Sequence, residues 1–459
     1  MNQRTLTCLA AVLVSLASAA GRANAQAPTP SDAPPAAAAA PSAPAAAPIA
    51  PAEKVAPPIP MPGAVNKFAV NVYGFVELDT WLDNVLNAGE GIGNSIIAKP
   101  GTQAGTNGRW VWSPRNSRFG FRVAAPAWEG TKASANIETD FGGGPAGTAA
   151  AALGGGPPPT PYGNVYGNEA AYTTTGVVRI RHAWAKLETP YVDILIGQTW
   201  DVFGNGVVPF VAGGPEFQGI PGQLFHRNPQ LRLSHLFKSE SVNVELIGAA
   251  VRPFQRDAII PDLQGGLKVS LPGVKGVHVA GAGKPIYSPL TVAVSGMYRS
   301  FKLIDHPALG PTDMAPAVLG YVKKFGWGVT GDVFLPVHGA NMEDQSNAIA
   351  ITGEVGLTSG GADMFGALGG GLPGIPPLRA ADAMTMVTLV PYPQNFDAGI
   401  ITWNGSTFVP IKWLTWTAGL QYHIPVYDGK LFWLTGNAGS ATLQDVAKYG
   451  IAATPAAQG

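Results

Sequence analysis

Ten charged residues between positions 77 and 232 have a spacing that can do chemistry. Arg179 and Arg181 stand two apart, as do Glu77 and Asp79, and Glu138 and Asp140. Arg118, Arg122, Lys132 and Arg232 fall in runs where every second residue is apolar. In an extended chain, residues two apart share a face. Arg179 and Arg181 therefore stack along one strand, and so do the two acid pairs. A guanidinium grips a carboxylate through paired N–H donors. A ladder of such groups on a wet wall attracts anions and orients carboxylates. The four acids supply the opposite sign, which predicts a transverse field rather than a uniformly positive tube. Two blander or different readings stand beside this one. Each arginine can pair with a neighbouring acid and hold lumen polarity. Glu138 and Asp140 also have the residue types of a glycosidase pair, although their place among period-two strands with Arg and Lys on the same face fits a wet lumen better.

No other catalytic pattern is present. There is no Gly-x-Ser-x-Gly elbow, no His-Glu-x-x-His and no P-loop. The seven histidines are scattered without metal-ligand spacing. The one cysteine, Cys8, lies in the expected leader, so no disulfide, Cys-based zinc site or thiol nucleophile is expected. The sequence predicts no enzyme, no metal and no cofactor. Lys+Arg and Asp+Glu balance at 29 each, which argues against a nucleic-acid partner. Charged residues make up 13% of the chain, against about 25% in soluble domains.

The elements that must position these charges begin late. Residues 1–25 have the layout of a secretory signal peptide: Arg4, a short apolar core, then Ala23-Asn24-Ala25. Residues 26–67 are mostly Ala and Pro, which build neither helix nor core, and read as a periplasmic tether. Period-two segments follow at 68–78, 117–123, 132–141, 177–187, 191–201, 230–236 and 242–252. Weaker or longer ones lie at 263–271, 290–303, 321–337, 348–358, 408–424 and 430–436, about thirteen in all. The segment 359–404 reads as an outer loop, with a possible strand at 385–389. His182 falls on the apolar face of its strand, where a lipid headgroup explains it. Through the first seven strands, tight turns alternate with long Gly/Pro-rich loops. That alternation predicts a transmembrane, antiparallel, up-and-down β-barrel occupying 68–459.

Tyr73-Gly74-Phe75-Val76 with Asp79, Ser117-Arg118-Phe119-Gly120-Phe121, Glu138-Thr139-Asp140-Phe141, Arg179-Ile180-Arg181 and Gly197-Gln198-Thr199-Trp200 come in an order and spacing that resembles the DcaP-type porins. The resemblance runs over about 68–250. It implies a homotrimeric outer-membrane channel of sixteen strands associated with uptake of small organic anions such as dicarboxylates. By analogy with porins, the third long loop, 202–229, is expected to fold inward and narrow the pore with Phe203, Phe210, Glu216, Phe217 and Phe225. The chain departs from the family pattern in its Ala/Pro-rich tether and in its last residues, which are small and polar rather than a strand ending in an aromatic. A C-terminal truncation or a misassigned end is the corresponding expectation. The function expected is passive, partly anion-selective diffusion across the outer membrane of a Gram-negative bacterium, with membrane lipid and small anionic solutes as partners. An outer-membrane barrel enzyme or adhesin working through its loops, and a secreted soluble β-rich protein, are the alternatives.

Overall fold

The structure is a computed structural model. It describes residues 68–83, 106, 108–143, 177–204, 222–224, 226–253, 258–279, 286–306, 319–365, 378–380, 388–390, 399–430 and 432–449. Residues 1–67, where the sequence predicts a leader and a tether, and residues 450–459 lie outside these.

Among the described residues, thirteen strands form one antiparallel sheet in which each of them pairs with the next in chain order. They are β1 (Ala69–Phe75), β2 (Arg118–Ala124), β3 (Lys132–Gly143), β4 (Val177–Glu188), β5 (Asp193–Trp200), β6 (Arg227–Lys238), β7 (Asn243–Val251), β8 (Asp262–Leu271), β9 (Leu290–Ile304), β10 (Tyr321–His338), β11 (Ile349–Ser359), β12 (Lys412–His423) and β13 (Trp433–Gln444). Each corresponds to one of the thirteen segments read from period two. The further strands implied by the family resemblance are not among the described residues. The up-and-down order keeps the loops 76–117, 144–176, 201–226 and 360–411 at one end of the sheet. Short turns at 125–131, 189–192 and 239–242 lie at the other.

The two faces of the sheet differ sharply. One exposes Val292, Val294, Tyr298, Phe325, Trp327, Val329, Ile351, Val355, Leu414, Trp416 and Leu420. A continuous apolar surface of this kind belongs against lipid. The other face buries Thr291, Ser295, Arg299, Thr330, Asp332, Thr352, Glu354, Thr415, Thr417 and Gln421. Polar groups are buried there because the sheet curls around them and loops fold in over them. Val202, at the end of β5, touches β8 through Gln264, and Leu224 reaches β11. Those contacts span the inside of the curve.

The interior holds two apolar clusters. One joins Phe203 and Leu224 to Met364, Phe365, Ile400, Phe408 and Trp413. Within the segment 359–404, read in the sequence as an outer loop, Met364, Phe365 and Ile400 therefore pack against the inner wall. In the same segment, Leu378–Ala380 pairs with Thr388–Val390, beside the possible strand read at 385–389. The second cluster brings Val277 against Phe334, Ala348 and Ala350 near the turn end. Val277–Val279 pairs with Ile286–Ser288 in a small hairpin.

Candidate functional site

The charged site is built on the inward face of β1 to β6. Register places its members in rows. Phe75, Arg118, Asp140 and Arg179 lie side by side across β1 to β4. Tyr73, Gly120, Glu138 and His182 form the next row, and Asn71, Arg122, Asn136 and Trp184 the one after. Gly120 is required by a close approach: a Cβ there would come within 2.6 Å of the Tyr73 ring. Tyr73 lies across it and donates to Asn136 Oδ1 at 2.9 Å and Glu138 Oε2 at 3.0 Å.

The acids are matched to the arginines. Asp140 is fully buried and accepts from both Arg179, at 2.6 Å, and Arg181, at 2.8 Å. Arg181 is 1% exposed and also donates from Nε to Glu138 at 2.8 Å. Arg118 reaches Glu138 at 3.9 Å. For Arg181 the pairing reading is the one observed. Its guanidinium cross-links two carboxylates, and it has little surface for a solute. Arg179 keeps 37% of its side chain exposed. Arg122 is exposed with its guanidinium 5.5 Å from the Tyr73 ring centre, and Lys132 is exposed at the turn end of β3. Arg232 is held by Gln230 and the Trp200 carbonyl. Glu77 and Asp79 sit just beyond β1, where Asp79 accepts from Asn116 at 2.5 Å. Burial, then the hydrogen bond with Asp79, pushes the Glu77 carboxyl up to about 8.

Two sequence expectations are corrected here. The pairing of β3 with β4 shifts register between Glu138/Thr139, so that Glu138 opposes His182 while Thr139 opposes Ile180. Arg181 is the extra residue of a β-bulge. Beyond it the alternation inverts, and His182 and Trp184 turn inward instead of facing lipid. His182 Nδ1 lies 3.1 Å from the Thr199 hydroxyl. Arg227, missed in the sequence, is the other correction. It stacks 4.4 Å from the Trp200 ring centre, within electrostatic reach of Arg118, Arg179 and Arg181. It sits at the first position of β6, where alternation has not yet set in.

The second part of the site is the loop after β5. Val202 and Phe203 donate their backbone N–H groups to Gln264 Oε1 at 2.8 and 2.9 Å. Gly204 N donates to Ser295 Oγ at 2.9 Å. At the far end Leu224 N donates to Glu354 Oε1 at 3.2 Å, and Leu224 bridges to Phe365. The Phe203 ring covers Gly328, where a Cβ would come within 2.6 Å of it. Both described ends of this loop thus lie on the inner wall. Of the expected constriction residues only Phe203 is described; Phe210, Glu216, Phe217 and Phe225 lie outside the described residues. A separate ion pair fastens the 360–365 segment: Arg299 donates to Asp262 at 2.8 Å and Asp363 at 2.6 Å. Among the described residues no three His, Cys, Asp or Glu side chains converge on a metal position.

Fold and site together define an all-β, up-and-down, membrane-type sheet with a lipid-type outer face and a polar, charged interior. No family model matches the chain, and no curated protein matches it. Among solved structures it is similar to the outer membrane channel DcaP of Acinetobacter baumannii, at 15% identity over 83% of this chain and 81% of that one, with a TM-score of 0.49. This is the protein type that the sequence motifs resemble. It is also similar to OmpT of Vibrio cholerae with loop L8 deleted (9% identity, 82% and 95% covered, TM-score 0.31) and to OmpF of Salmonella typhi in complex with daunomycin (6% identity, 81% and 97% covered, TM-score 0.29).

Proposed function

We propose that this chain is an outer-membrane porin passing small solutes by diffusion, with a preference for small organic anions such as dicarboxylates. The observation that carries the reading is the inward face of β2 to β4, where exposed Arg122 and Lys132 flank a paired core of Arg179, Arg181, Glu138 and Asp140 in which two cations meet two carboxylates. The core fixes the wall; Arg122, Lys132 and the part-exposed edge of Arg179 remain for the solute. Arg118, Arg227 and Arg232 add to the positive potential, and Glu77 and Asp79 oppose it at the loop end. The inward ends of the loop after β5 support a constriction at Phe203. Export through a cleaved leader at residues 1–25, residence in a Gram-negative outer membrane, contact with membrane lipid and homotrimer formation belong to the same proposal.

Liposome swelling with succinate against a neutral sugar of like size tests it. The wild-type protein is expected to pass succinate faster. Removing each of Arg122, Lys132 and Arg179 as glutamine should cost about threefold in that ratio, the roughly 0.7 kcal/mol of a unit charge at 6 Å in water. Equal rates for both solutes would end the anion preference. No swelling at all would end the channel reading and favour loop-mediated binding.

A further inference from the structure

We propose a binding site for one divalent cation of the calcium or magnesium class on the inward face of β10 to β12, centred on Asp332 and Glu354. Register sets Asp332 directly opposite Glu354, and Glu354 directly opposite Thr417. The three side chains therefore stand in one row on the buried face, with Asp332 8%, Glu354 1% and Thr417 2% exposed. The two carboxyl groups are hydrogen-bonded to each other. Asp332 Oδ2, Glu354 Oε2 and Thr417 Oγ1 have no hydrogen-bond partner. Thr352, two residues before Glu354 on the same face, likewise has an unpartnered buried hydroxyl. Over the row comes the end of the loop after β5. Leu224 N donates to Glu354 Oε1, and Gln223 beside it is 1% exposed with neither amide atom partnered.

Charge compensation is what these groups lack. Two adjacent buried carboxylates repel, and burial raises the cost of ionising either. No Lys or Arg acts on Asp332 or Glu354 among the described residues. The flanking residues, Ala293 beside Asp332 and Gly439 beside Thr417, bear no charge; beyond Ala293 the row reaches Lys268, which is paired with Glu245 at 2.6 Å. Residues 205–221 contain no lysine or arginine to supply one. A single shared proton relieves only the contact between the carboxyls. It leaves the Thr417 and Thr352 hydroxyls and the Gln223 amide unmet, and a buried polar group without a partner keeps its full desolvation cost. One dication meets the charge and several of the oxygens together. Carboxylate, hydroxyl and amide oxygens are the donors that hard cations take, in the loose geometry that calcium accepts. Only two of the groups are acids and none is histidine or cysteine, which disfavours zinc.

The inference does not depend on what the pore conducts. It is tested on the full chain, folded in detergent and stripped with EDTA, by calorimetric titration with calcium and with magnesium and by the midpoint of thermal unfolding. One binding event per chain and a rise in midpoint with the cation are expected. Glu354→Gln and Asp332→Asn should abolish both responses. Thr417→Val keeps both charges and should weaken binding about tenfold; it decides the matter if either charge variant fails to fold. Absence of binding at neutral pH, which means a shared proton only, overturns the proposal. So does binding that all three variants retain, which places the cation elsewhere.

Discussion

At the scale of single residues, the charges divide by burial rather than by sign. Arg181 and Asp140 have almost no exposed surface, whereas Arg179 and Arg122 keep theirs. A buried ion pair is costly to halve, because the remaining partner keeps its desolvation without its counter-charge. Arg181→Met should therefore destabilise the fold by about 3–5 kcal/mol. Arg179→Gln, partly wet and with Arg181 still on Asp140, should cost no more than about 1 kcal/mol. Denaturant titrations of the two variants in the same detergent decide it, and equal losses would mean that the two arginines share one role. The residue types and spacing of this site were legible in part: register sets Arg118, Arg122, Glu138, Asp140 and Arg179 in adjacent rows of one face. What the spacing did not carry was which of them neutralise one another. That depends on neighbours across strands, and register is a long-range property.

At the scale of elements, period two located every strand of the sheet, including β8, whose signal was the weakest. It failed at one place in β4. A bulge inserts a residue without any change of composition, so the alternation simply inverts after Arg181 and carries His182 and Trp184 to the other face. The loop 360–411 lies at the long-loop end of the sheet, but that parts of it turn inward was not carried by the sequence. Its Gly and Pro content marks it as irregular but does not tell which side of the wall it covers. Its apolar residues Met364, Phe365 and Ile400 were the available signal, and they now pack with Phe203 and Leu224. The loop after β5 is fastened mainly through Gln264, which receives two backbone N–H groups. Gln264→Leu leaves both donors buried and unmet, at about 1–3 kcal/mol each. Single-channel recordings of that variant should show a changed and noisier conductance. A trace identical to wild type would separate this loop from the conduction path.

At the scale of the whole molecule, the outward apolar face and the polar interior are the inverse of a soluble sandwich, whose exposed faces alternate toward water. An intact membrane-type sheet of this kind resists detergent until heated. The unboiled protein should therefore run at a different gel mobility from the boiled one, and it should fractionate with outer membranes. A single mobility together with recovery in the soluble fraction would favour the secreted-protein alternative. One consequence lies in how the loop after β5 is moored. The wall side chains Gln264, Ser295 and Glu354 grip main-chain amides, and a main-chain amide is nearly the same in every residue type. The hydrogen bonds themselves are indifferent to residue type, but Phe203 and Leu224 are also held by their side chains in the apolar cluster, and Gly204 and Gly222 stand at positive φ with no room for a Cβ. The moored ends are therefore constrained in sequence at these four positions and free at the amide contacts alone.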